Sequence, residues 1–353
     1  MRAVLLTGHG GFDRLELRDD VPVPRPGPGE VLVRVGAAAV NNTDIKTRVG
    51  WYAKSVTTAT PGDGALAAPP SPDTAWNGGA LSLPRIQGAD VAGEVVAVGA
   101  GVDPARRGQR VMVEPCLRAP MDWRPFQCLY LGSEVDGGFA EYVAVPAVHA
   151  HAVDCGLSDA ELASFPCSYS TAENLLTRAA AGAGETVLVT GASGGVGSAA
   201  VQLARRRGAR VVAVAGTAKA GQVMAAGASQ VIPRDGDPVA ALGEESVDVV
   251  VDLVGGAGWP ALLRVLRRGG RYATAGAIAG PMVELDLRTL YLKDLRLFGA
   301  TVLDPGVFKA LVGYVAGGEI KPLVARTYPL EDIVQAQQDF LAKRHTGKLV
   351  LIP

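Results

Sequence analysis

The sequence predicts an α/β protein whose second half folds as a doubly wound parallel sheet. Its first half, up to about residue 155, instead consists of short strands and turns. After residue 158 the chain alternates buried strands with single helices, and these strands are continuous runs of apolar, mostly β-branched residues. Such runs are typical of a parallel sheet that helices cover on both faces. A glycine-rich run at residues 191–197 directly follows one of these strands and opens a helix.

Bulk composition fits a globular protein of about two domains. The chain has 353 residues, of which 48% are hydrophobic and 20% charged, and it contains no apolar run long enough to span a bilayer. The N-terminus predicts a short strand rather than a signal peptide. A net charge of −1 gives no indication of a nucleic-acid or membrane partner. Four scattered cysteines fit a reducing cytoplasm better than a disulfide framework.

In the first half, β-rich runs bounded by glycine occur at residues 31–35, 91–98 and 110–113. Residues 54–83 differ, since they are rich in alanine, proline, threonine, serine and glycine and show little periodicity. Loops of that length in compact domains are usually functional or mobile.

In the second half, the predicted strands are 186–190, 210–215, 247–253, 270–275 and 295–300, with helices at 196–207, 218–226 and 259–266. The tail from about residue 306 holds a helix, a proline-bounded segment, a second helix and a final strand at 348–352. That strand has no place in the parallel sheet, so we assign it to the first domain.

The glycine run predicts a site for the pyrophosphate of a dinucleotide. Small residues let the backbone approach the phosphates, and the N-terminus of the following helix attracts anions. The predicted binding residues are Gly191, Ser193, Gly194, Gly195, Val196 and Gly197. The alternative is an ordinary tight turn between a strand and a helix.

The stretch that follows favours NADP(H) over NAD. A site that prefers NAD usually has an acidic residue about 20 positions on, where it binds the ribose 2′-hydroxyl. Here residues 198–234 contain no acid, and Thr217, Lys219 and Arg234 are the candidates for the 2′-phosphate. Alternatively, the two cations are solvated surface groups.

Several motifs together resemble the medium-chain dehydrogenase/reductase superfamily, and within it the zinc-free quinone oxidoreductases. They are PGEVLV at 28–33, NNTD at 41–44, GADVAG at 88–93, GGFAEY at 137–142, CSYSTA at 167–172, the glycine run, and GKLVL at 347–351. The resemblance implies a GroES-like, mostly-β catalytic domain formed by residues 1–155 and 302–353. It also implies a Rossmann NADP(H)-binding domain at 156–301, with the active site in the cleft between the domains.

The zinc enzymes of this superfamily hold their metal with Cys, His and Cys, and the matching positions here are Asn41, Ala89 and Cys167. Catalytic zinc needs about three side-chain ligands. Ala89 offers none and an amide is a poor ligand, so even with Asp90 as a partial substitute we expect no metal. Cys167 is then either a small buried residue behind the nicotinamide or a redox-sensitive thiol.

Without a metal, the resemblance implies direct hydride transfer from NADPH to a quinone or an α,β-unsaturated carbonyl. Asn41 and Tyr52 match polar residues near the substrate, where they would hydrogen-bond the developing oxyanion. Thr171 matches a residue beside the nicotinamide. Alternatively, Asn41 braces the turn before Thr43, and Tyr52 packs within its loop.

The resemblance also implies further cofactor contacts. Ala300 and its neighbours would lie beside the nicotinamide, and Lys348 near the phosphates. Val254 and the turn of Gly276, Ala277 and Ile278 would lie along the cofactor. For His149 and His151, which fit no ligand pattern, we expect structural roles.

The long segment 54–83, which carries Trp76, is a departure from the short quinone oxidoreductases, and we expect it to fold over the substrate and narrow substrate choice. Two other functions remain open: an alcohol dehydrogenase with a degenerate zinc site, and a non-catalytic NADPH-binding redox sensor. Likeness to related proteins also implies a homodimer that pairs through the edge strand near 295–300.

Overall fold

Two structural units divide the chain in the computed structural model, which describes residues 1–61, 71–119, 124 and 126–353. Unit 1 comprises Met1–Val56, Pro61–Cys167 and Phe308–Pro353. Unit 2 comprises Thr57–Thr60 and Ser168–Val307. The expected domain boundaries after residues 155 and 301 stay a prediction.

Short strands make up most of unit 1, where β-branched residues recur between glycines and prolines. In chain order the elements are β1 (Ala3–Leu6), β2 (Leu15–Arg18), β3 (Glu30–Ala39), α1 (Asn42–Val49), β4 (Arg85–Ile86), β5 (Ala92–Val98), β6 (Arg110–Val113), β7 (Cys116–Leu117), β8 (Leu129–Tyr130), β9 (Tyr142–Pro146), β10 (Ala150–Ala152) and α2 (Asp159–Leu162). The long strand β3 pairs antiparallel with both β5 and β9. This mostly-β architecture confirms the prediction for the first part of the chain.

Unit 2 contains the predicted parallel sheet. Its elements follow α3 (Pro166–Arg178) and are β11 (Thr186–Val189), α4 (Gly195–Arg206), β12 (Arg210–Ala215), α5 (Ala220–Ala226), β13 (Gln230–Pro233), α6 (Pro238–Leu242), β14 (Val247–Asp252), α7 (Trp259–Val265), β15 (Leu266–Thr274), α8 (Leu287–Leu292) and β16 (Arg296–Gly299). The strand order is β13-β12-β11-β14-β15-β16, and every pairing is parallel. This is the doubly wound Rossmann order, which reverses direction between β11 and β14.

The C-terminal part returns to the sheet of unit 1. It contains α9 (Val307–Ala316), β17 (Val324–Pro329), α10 (Ile333–Ala342) and β18 (Lys348–Ile352). Strand β18 pairs antiparallel with β3 and parallel with β17. The prediction that the final strand joins the first part of the chain is therefore confirmed.

Several connections are short 3-10 helices rather than open loops. They lie at Phe12–Arg14, Pro104–Arg106, Ala147–His149, Thr217–Lys219, Gly256–Gly258 and Leu330–Asp332.

Two strands were not predicted from the sequence. Strand β13 has only four residues and lies at an edge of the sheet, so it lacks the long β-branched run of its neighbours. Strand β17 was expected to be a proline-bounded segment, but it pairs with β18 along its whole length. Its residues alternate less clearly because most of them are exposed.

Each unit has an apolar core of its own. Unit 1 packs Val31, Val33 and Val35 of β3 against Phe139 and Leu349. Unit 2 packs the central strands of its sheet against the helices that cover it, with Trp259 and Tyr272 in edge-to-face contact. Among the described helices, none combines the length and apolarity that crossing a membrane requires.

Candidate active site

The glycine run forms the tight connection between β11 and helix α4. Gly191 has a φ of +59°, a conformation that side chains disfavour. A Cβ on Gly197 would lie 2.2 Å from the Gly191 carbonyl oxygen, so only glycine fits there. Gly194 is the N-cap of α4, whose first turn has no acidic residue. The run therefore has the geometry that lets backbone N–H groups receive a phosphate.

Lys219 and Arg234, the two cations predicted to bind the 2′-phosphate, lie close together beyond the end of β12. Burial lowers the pKa of Lys219, and the nearby positive charge of Arg234 lowers it further. An Arg234 guanidinium nitrogen lies 3.7 Å from the position of a Cβ on Gly216. Thr217 begins the 3-10 helix that carries Lys219. Two like charges at close range attract an anion, and no acid separates them along the chain.

The predicted cofactor residues of unit 2 follow neighbouring strands at their carboxyl ends. Val254 follows β14, and its carbonyl accepts from the Ala279 N–H at 2.9 Å, which fixes the turn containing Gly276, Ala277 and Ile278. The Ala300 N–H donates to the Thr274 carbonyl at 3.0 Å just after β16. These ends meet at the edge where ligands bind in such sheets.

Asp252, at the end of β14, holds the turn before this edge. It is fully buried and accepts hydrogen bonds from Thr190 Oγ1 at 2.5 Å and from the Tyr272 hydroxyl at 2.6 Å. The Val254 and Gly255 N–H groups also donate to it. Sequence reasoning did not identify Asp252, although a lone acid at the end of an apolar strand was a visible signal.

Helix α3 fixes the segment after β16. Asn174 donates to the Val302 carbonyl at 3.0 Å and accepts from the Asp304 N–H at 2.9 Å. Thr171 lies one turn earlier on the same helix and is half-buried. Its predicted place beside the nicotinamide stays a prediction.

In unit 1, the Asn41 side chain belongs to a buried polar network. Its amide nitrogen donates to Asp90 at 2.8 Å and to the Ala39 carbonyl at 3.1 Å. Its amide oxygen accepts from the ammonium of Lys348, which also pairs with Asp90 at 2.8 Å. Both amide hydrogens therefore have partners within the protein. These contacts give the Asn41 side chain a structural role within unit 1, and its catalytic role stays a prediction.

Lys348 was expected near the cofactor phosphates. Its side chain is 3% exposed, and its ammonium is held by Asp90 and Asn41. These contacts favour a charge-balancing role inside unit 1, and the phosphate contact stays a prediction. The sequence did not reveal this pair because Asp90 and Lys348 are far apart along the chain.

Asp44 caps the start of α1 at the edge of the same network. One of its carboxylate oxygens accepts from the Asn41 N–H at 2.7 Å, and the other accepts from the Gly88 N–H at 3.2 Å. Burial raises the pKa of Asp44 to about 7, although these hydrogen bonds and the charge of Lys348 oppose the rise.

Cys167 is buried beside this network and is linked to the long segment through aromatic residues. Its N–H donates to Asp90 at 2.5 Å, and its thiol lies 3.1 Å from the Tyr130 hydroxyl. Burial raises the pKa of this thiol to about 12, with the charge of Asp90 adding to the rise. A thiol that stays protonated is a poor nucleophile, which favours the structural interpretation. Trp76 stacks on the Tyr130 ring at 4.5 Å.

Tyr52 lies just after α1 and is half-buried. Its hydroxyl donates to Thr43 Oγ1 at 3.1 Å, and its ring meets Trp51 edge-on at 6.0 Å. Burial raises its pKa, so the phenol stays protonated. Tyr52 therefore keeps a polar hydroxyl beside Thr43 in addition to its packing contact. The ammonium of Lys46 lies over the Trp51 ring.

The donor set of Asn41, Ala89 and Cys167, the positions expected to match the zinc ligands, does not fit a catalytic zinc ion. Ala89 is buried and has no donor atom, and the Asn41 amide is already bonded, so Cys167 alone would offer a ligand of the kind zinc prefers. The ammonium of Lys348 beside Asp90 would repel a cation. Across residues 1–61, 71–119 and the rest of the described chain, no three His, Cys, Asp or Glu side chains come together as metal ligands would.

His149 and His151 surround the buried carboxylate of Glu114. His149 Nδ1 lies 3.1 Å from Glu114, and its Nε2 accepts from the Arg118 N–H at 3.0 Å. Burial alone would raise the pKa of Glu114, but hydrogen bonds from the histidines and the charge of Arg118 lower it to about 2. These contacts anchor the chain around β7 and agree with the structural roles expected for both histidines.

Two family models match the chain. The alcohol dehydrogenase GroES-like domain matches residues 27–154, and the zinc-binding dehydrogenase domain matches residues 195–316.

Relatives match over the whole length. A quinone oxidoreductase of Lama guanicoe is 30% identical and covers 100% of this chain and 97% of its own. An acryloyl-coenzyme A reductase of Metallosphaera sedula is 31% identical, with 99% of each chain covered.

Among solved structures, a Sinorhizobium meliloti protein to which an alcohol dehydrogenase activity is attributed is 49% identical, with a TM-score of 0.90. The match covers 100% of this chain and 96% of that one. An NAD-dependent alcohol dehydrogenase is 31% identical over 100% of both chains, with a TM-score of 0.86.

Proposed function

The chain belongs to the medium-chain dehydrogenase/reductase superfamily, and from that premise we propose that it is a zinc-independent reductase that transfers hydride from NADPH to a quinone or an α,β-unsaturated carbonyl. As a member of this superfamily it is an oxidoreductase that binds a nicotinamide cofactor. The donor set at Asn41, Ala89 and Cys167 is the observation that carries the finer proposal, because it lacks what catalytic zinc requires.

The acceptor class follows from the chemistry that remains without a metal. A saturated ketone needs strong polarisation of its oxygen, whereas a quinone or enone spreads the arriving charge by conjugation. Weak hydrogen-bond donors then suffice to stabilise the developing enolate. The names of two relatives, a quinone oxidoreductase and an acryloyl-coenzyme A reductase, describe reductions of this kind.

Bound NADPH would supply the hydride, and residues of the chain would hold the acceptor and its oxygen. We assign the oxygen to the Thr43 hydroxyl, which Tyr52 orients, because the Asn41 amide already has its partners within unit 1. Tyr52 donates to Thr43, which leaves the Thr43 hydroxyl proton available for a substrate oxygen. Thr171 would pack beside the nicotinamide.

The preference for NADPH rests on Lys219 and Arg234 and on the absence of an acid between residues 198 and 234. The test compares kcat/KM for NADPH and NADH in the wild type, in Arg234→Ala and in Arg107→Ala, which alters an exposed arginine of unit 1. We expect Arg234→Ala to lower kcat/KM for NADPH by about 10-fold or more and to leave NADH unchanged. Equal values for both cofactors in the wild type would refute the preference.

An alcohol dehydrogenase activity is the second candidate, favoured by the protein that is 49% identical. It predicts stoichiometric zinc in the purified protein and loss of activity with a chelator. A third outcome, tight NADPH binding without turnover of quinones, enones or alcohols, would indicate a redox sensor.

We further propose a homodimer that pairs through unit 2. Strand β16 is an edge of the parallel sheet, and large apolar side chains are exposed on it and on α8: Leu287, Tyr291, Leu292 and Leu297. Such a group of exposed apolar residues is typical of an interface.

The segment 54–83 is proposed to select substrates. Its residues 62–70 lie outside the described part of the chain. Near its end, the Trp76 N–H donates to Ser133 Oγ at 3.0 Å and the indole stacks on Tyr130. Deleting residues 58–78 should change KM across a panel of acceptors, and unchanged kinetics would contradict this role.

We place the protein in the cytoplasm. Its four cysteines form no disulfide, as expected in a reducing compartment.

A further inference from the structure

Helix α1 carries a buried lysine that the proposed function does not use. The Lys46 side chain is 5% exposed, and burial lowers its pKa to about 8. Its ammonium lies 3.7 Å from the centre of the Trp51 ring and 5.9 Å from that of Tyr52. Aromatic faces attract cations, which offsets part of the cost of removing the charge from water.

No oxygen atom of the described residues accepts a hydrogen bond from this ammonium or pairs with its charge. The carboxylate nearest in sequence, Asp44, accepts instead from the Asn41 and Gly88 N–H groups. Burial alone accounts for the lowered pKa, and no carboxylate in the described chain opposes it. An ammonium normally has three hydrogen-bond donors to satisfy, so this arrangement is costly.

The other buried cations of unit 1 differ in this respect. Arg48 donates to Gln337 at 2.9 Å and to the Gly10 carbonyl at 2.6 Å. Lys348 pairs with Asp90. Arg48 also lies over the Phe12 ring, 4.5 Å from its centre, but it has oxygen partners as well, whereas the contacts of the Lys46 ammonium with described residues are with aromatic rings.

We propose that Lys46 binds an anionic oxygen group, a carboxylate or a phosphate, of a ligand held by unit 1. Lys46 follows Thr43 by one turn of α1, and Thr43 accepts the Tyr52 hydroxyl hydrogen bond. The anion would therefore lie beside the Thr43 hydroxyl assigned to the acceptor oxygen, and to that extent the inference rests on the proposed function. The ligand that fits this place is an acceptor that carries a carboxylate, because the cofactor phosphates are assigned to the glycine run and to Lys219 and Arg234 of unit 2.

The test measures binding by calorimetry, so that it does not depend on turnover. The ligands are NADPH alone and, with NADP⁺ bound, 4-oxo-2-pentenoate and its uncharged methyl ester. The variants are Lys46→Met, which keeps the side-chain length and removes the charge, and Lys309→Met, which alters an exposed lysine of the same unit. Lys46→Gln replaces Lys46→Met if the latter is unstable.

If Lys46 binds the carboxylate of the acceptor, Lys46→Met should weaken binding of 4-oxo-2-pentenoate by about 10-fold or more. Binding of the ester and of NADPH should not change. A cofactor phosphate predicts the same loss for NADPH instead. If all three dissociation constants stay within about twofold of those of Lys309→Met, the inference is wrong. Wild-type protein that binds these ligands but oxidises no NADPH would contradict the proposed function alone.

Discussion

At the scale of single residues, unit 1 holds a buried ammonium–carboxylate–amide network around Asp90. Asp90 accepts from Lys348, Asn41 and the Cys167 N–H, so its charge is compensated without a metal. A buried pair of this kind contributes little net stability, but the loss of one partner leaves an uncompensated charge. The network therefore makes Asn41 rigid and fixes how its amide is oriented.

Removing one member of this network should destabilise unit 1, and removing both charges should restore part of the loss. We expect Lys348→Met to lower the free energy of unfolding by about 3–5 kcal/mol and Lys348→Met/Asp90→Asn to cost clearly less than the sum of the single changes. Urea unfolding measures these values, with Lys309→Met as the exposed control. Strictly additive losses would show that the two charges are not coupled.

Lys46 makes a prediction about pH. Because its pKa falls from 10.5 to about 8 on folding, the unfolded chain binds more protons between these values. Below pH 8, the charged amine therefore lowers the free energy of unfolding by its full amount. This destabilisation disappears as the pH rises from about 8 to 10.5. Lys46→Met should stabilise the protein at pH 7 by roughly 1–3 kcal/mol.

The measurement is the difference in free energy of unfolding between Lys46→Met and wild type at pH 7, 8, 9 and 10. The gain should shrink with rising pH, whereas Lys54→Met should show no such trend. A difference that is constant with pH would mean that the amine is not charged and buried as described.

The sequence identified residues whose role follows from local pattern, and it missed those whose role depends on distant partners. The glycine run and the acid-free stretch after it could be read directly, because a strand, a turn and a helix are contiguous. Asn41 was identified as polar and close to the site, but its partners come from distant parts of the chain: Asp90 precedes β5, and Lys348 begins β18. Lys46 gave one local signal, its position one turn after Thr43.

At the scale of elements, the connection between β11 and α4 is the most constrained part of unit 2. Gly197→Ala should weaken NADPH binding by about 10-fold or more, because its Cβ would lie 2.2 Å from the Gly191 carbonyl oxygen and displace the turn. Gly221→Ala is the matched control, since a Cβ there meets no atom within 4 Å. A fluorescence titration with NADPH measures both, and unchanged binding by Gly197→Ala would contradict the assignment of the turn.

The proposed homodimer can be tested at β16, the edge strand of the parallel sheet in unit 2. Leu297 lies on β16 and is 38% exposed, so Leu297→Arg should place a charge in the proposed interface and convert a dimer to a monomer. Leu17→Arg, at a similarly exposed leucine of unit 1, should leave the dimer intact. Light scattering after size exclusion gives the masses. A wild-type mass of 36.3 kDa would refute the dimer.

Elements with long apolar runs were predicted from the sequence, and short or exposed ones were not. Strands β11, β12 and β14 have continuous buried residues, and their bounds were predicted to within a residue. Strands β13 and β17 have few buried residues, and pairing with neighbours rather than local pattern makes them strands. Hydrophobic periodicity identifies a strand only when the strand's own residues have a clear apolar pattern, so these two strands were missed.

At the scale of the whole molecule, the chain forms most of unit 1 first, then the parallel sheet of unit 2, and its last part belongs to unit 1 again. Strand β18 completes the sheet of unit 1 beside β3 and brings Lys348 to Asp90. The first and last parts of the chain must therefore come together before the Asn41 network exists. The sequence pattern predicted this return, because the last strand had no place in the parallel sheet, and the resemblance agreed with it.

The central claim is that hydride transfer in this protein needs no metal. The most direct measurement is kcat/KM for NADPH with a quinone acceptor, before and after exhaustive dialysis against a chelator, with zinc content determined on the same samples. The account predicts less than about one zinc per ten chains and an unchanged kcat/KM. Stoichiometric zinc together with loss of activity on chelation would contradict it.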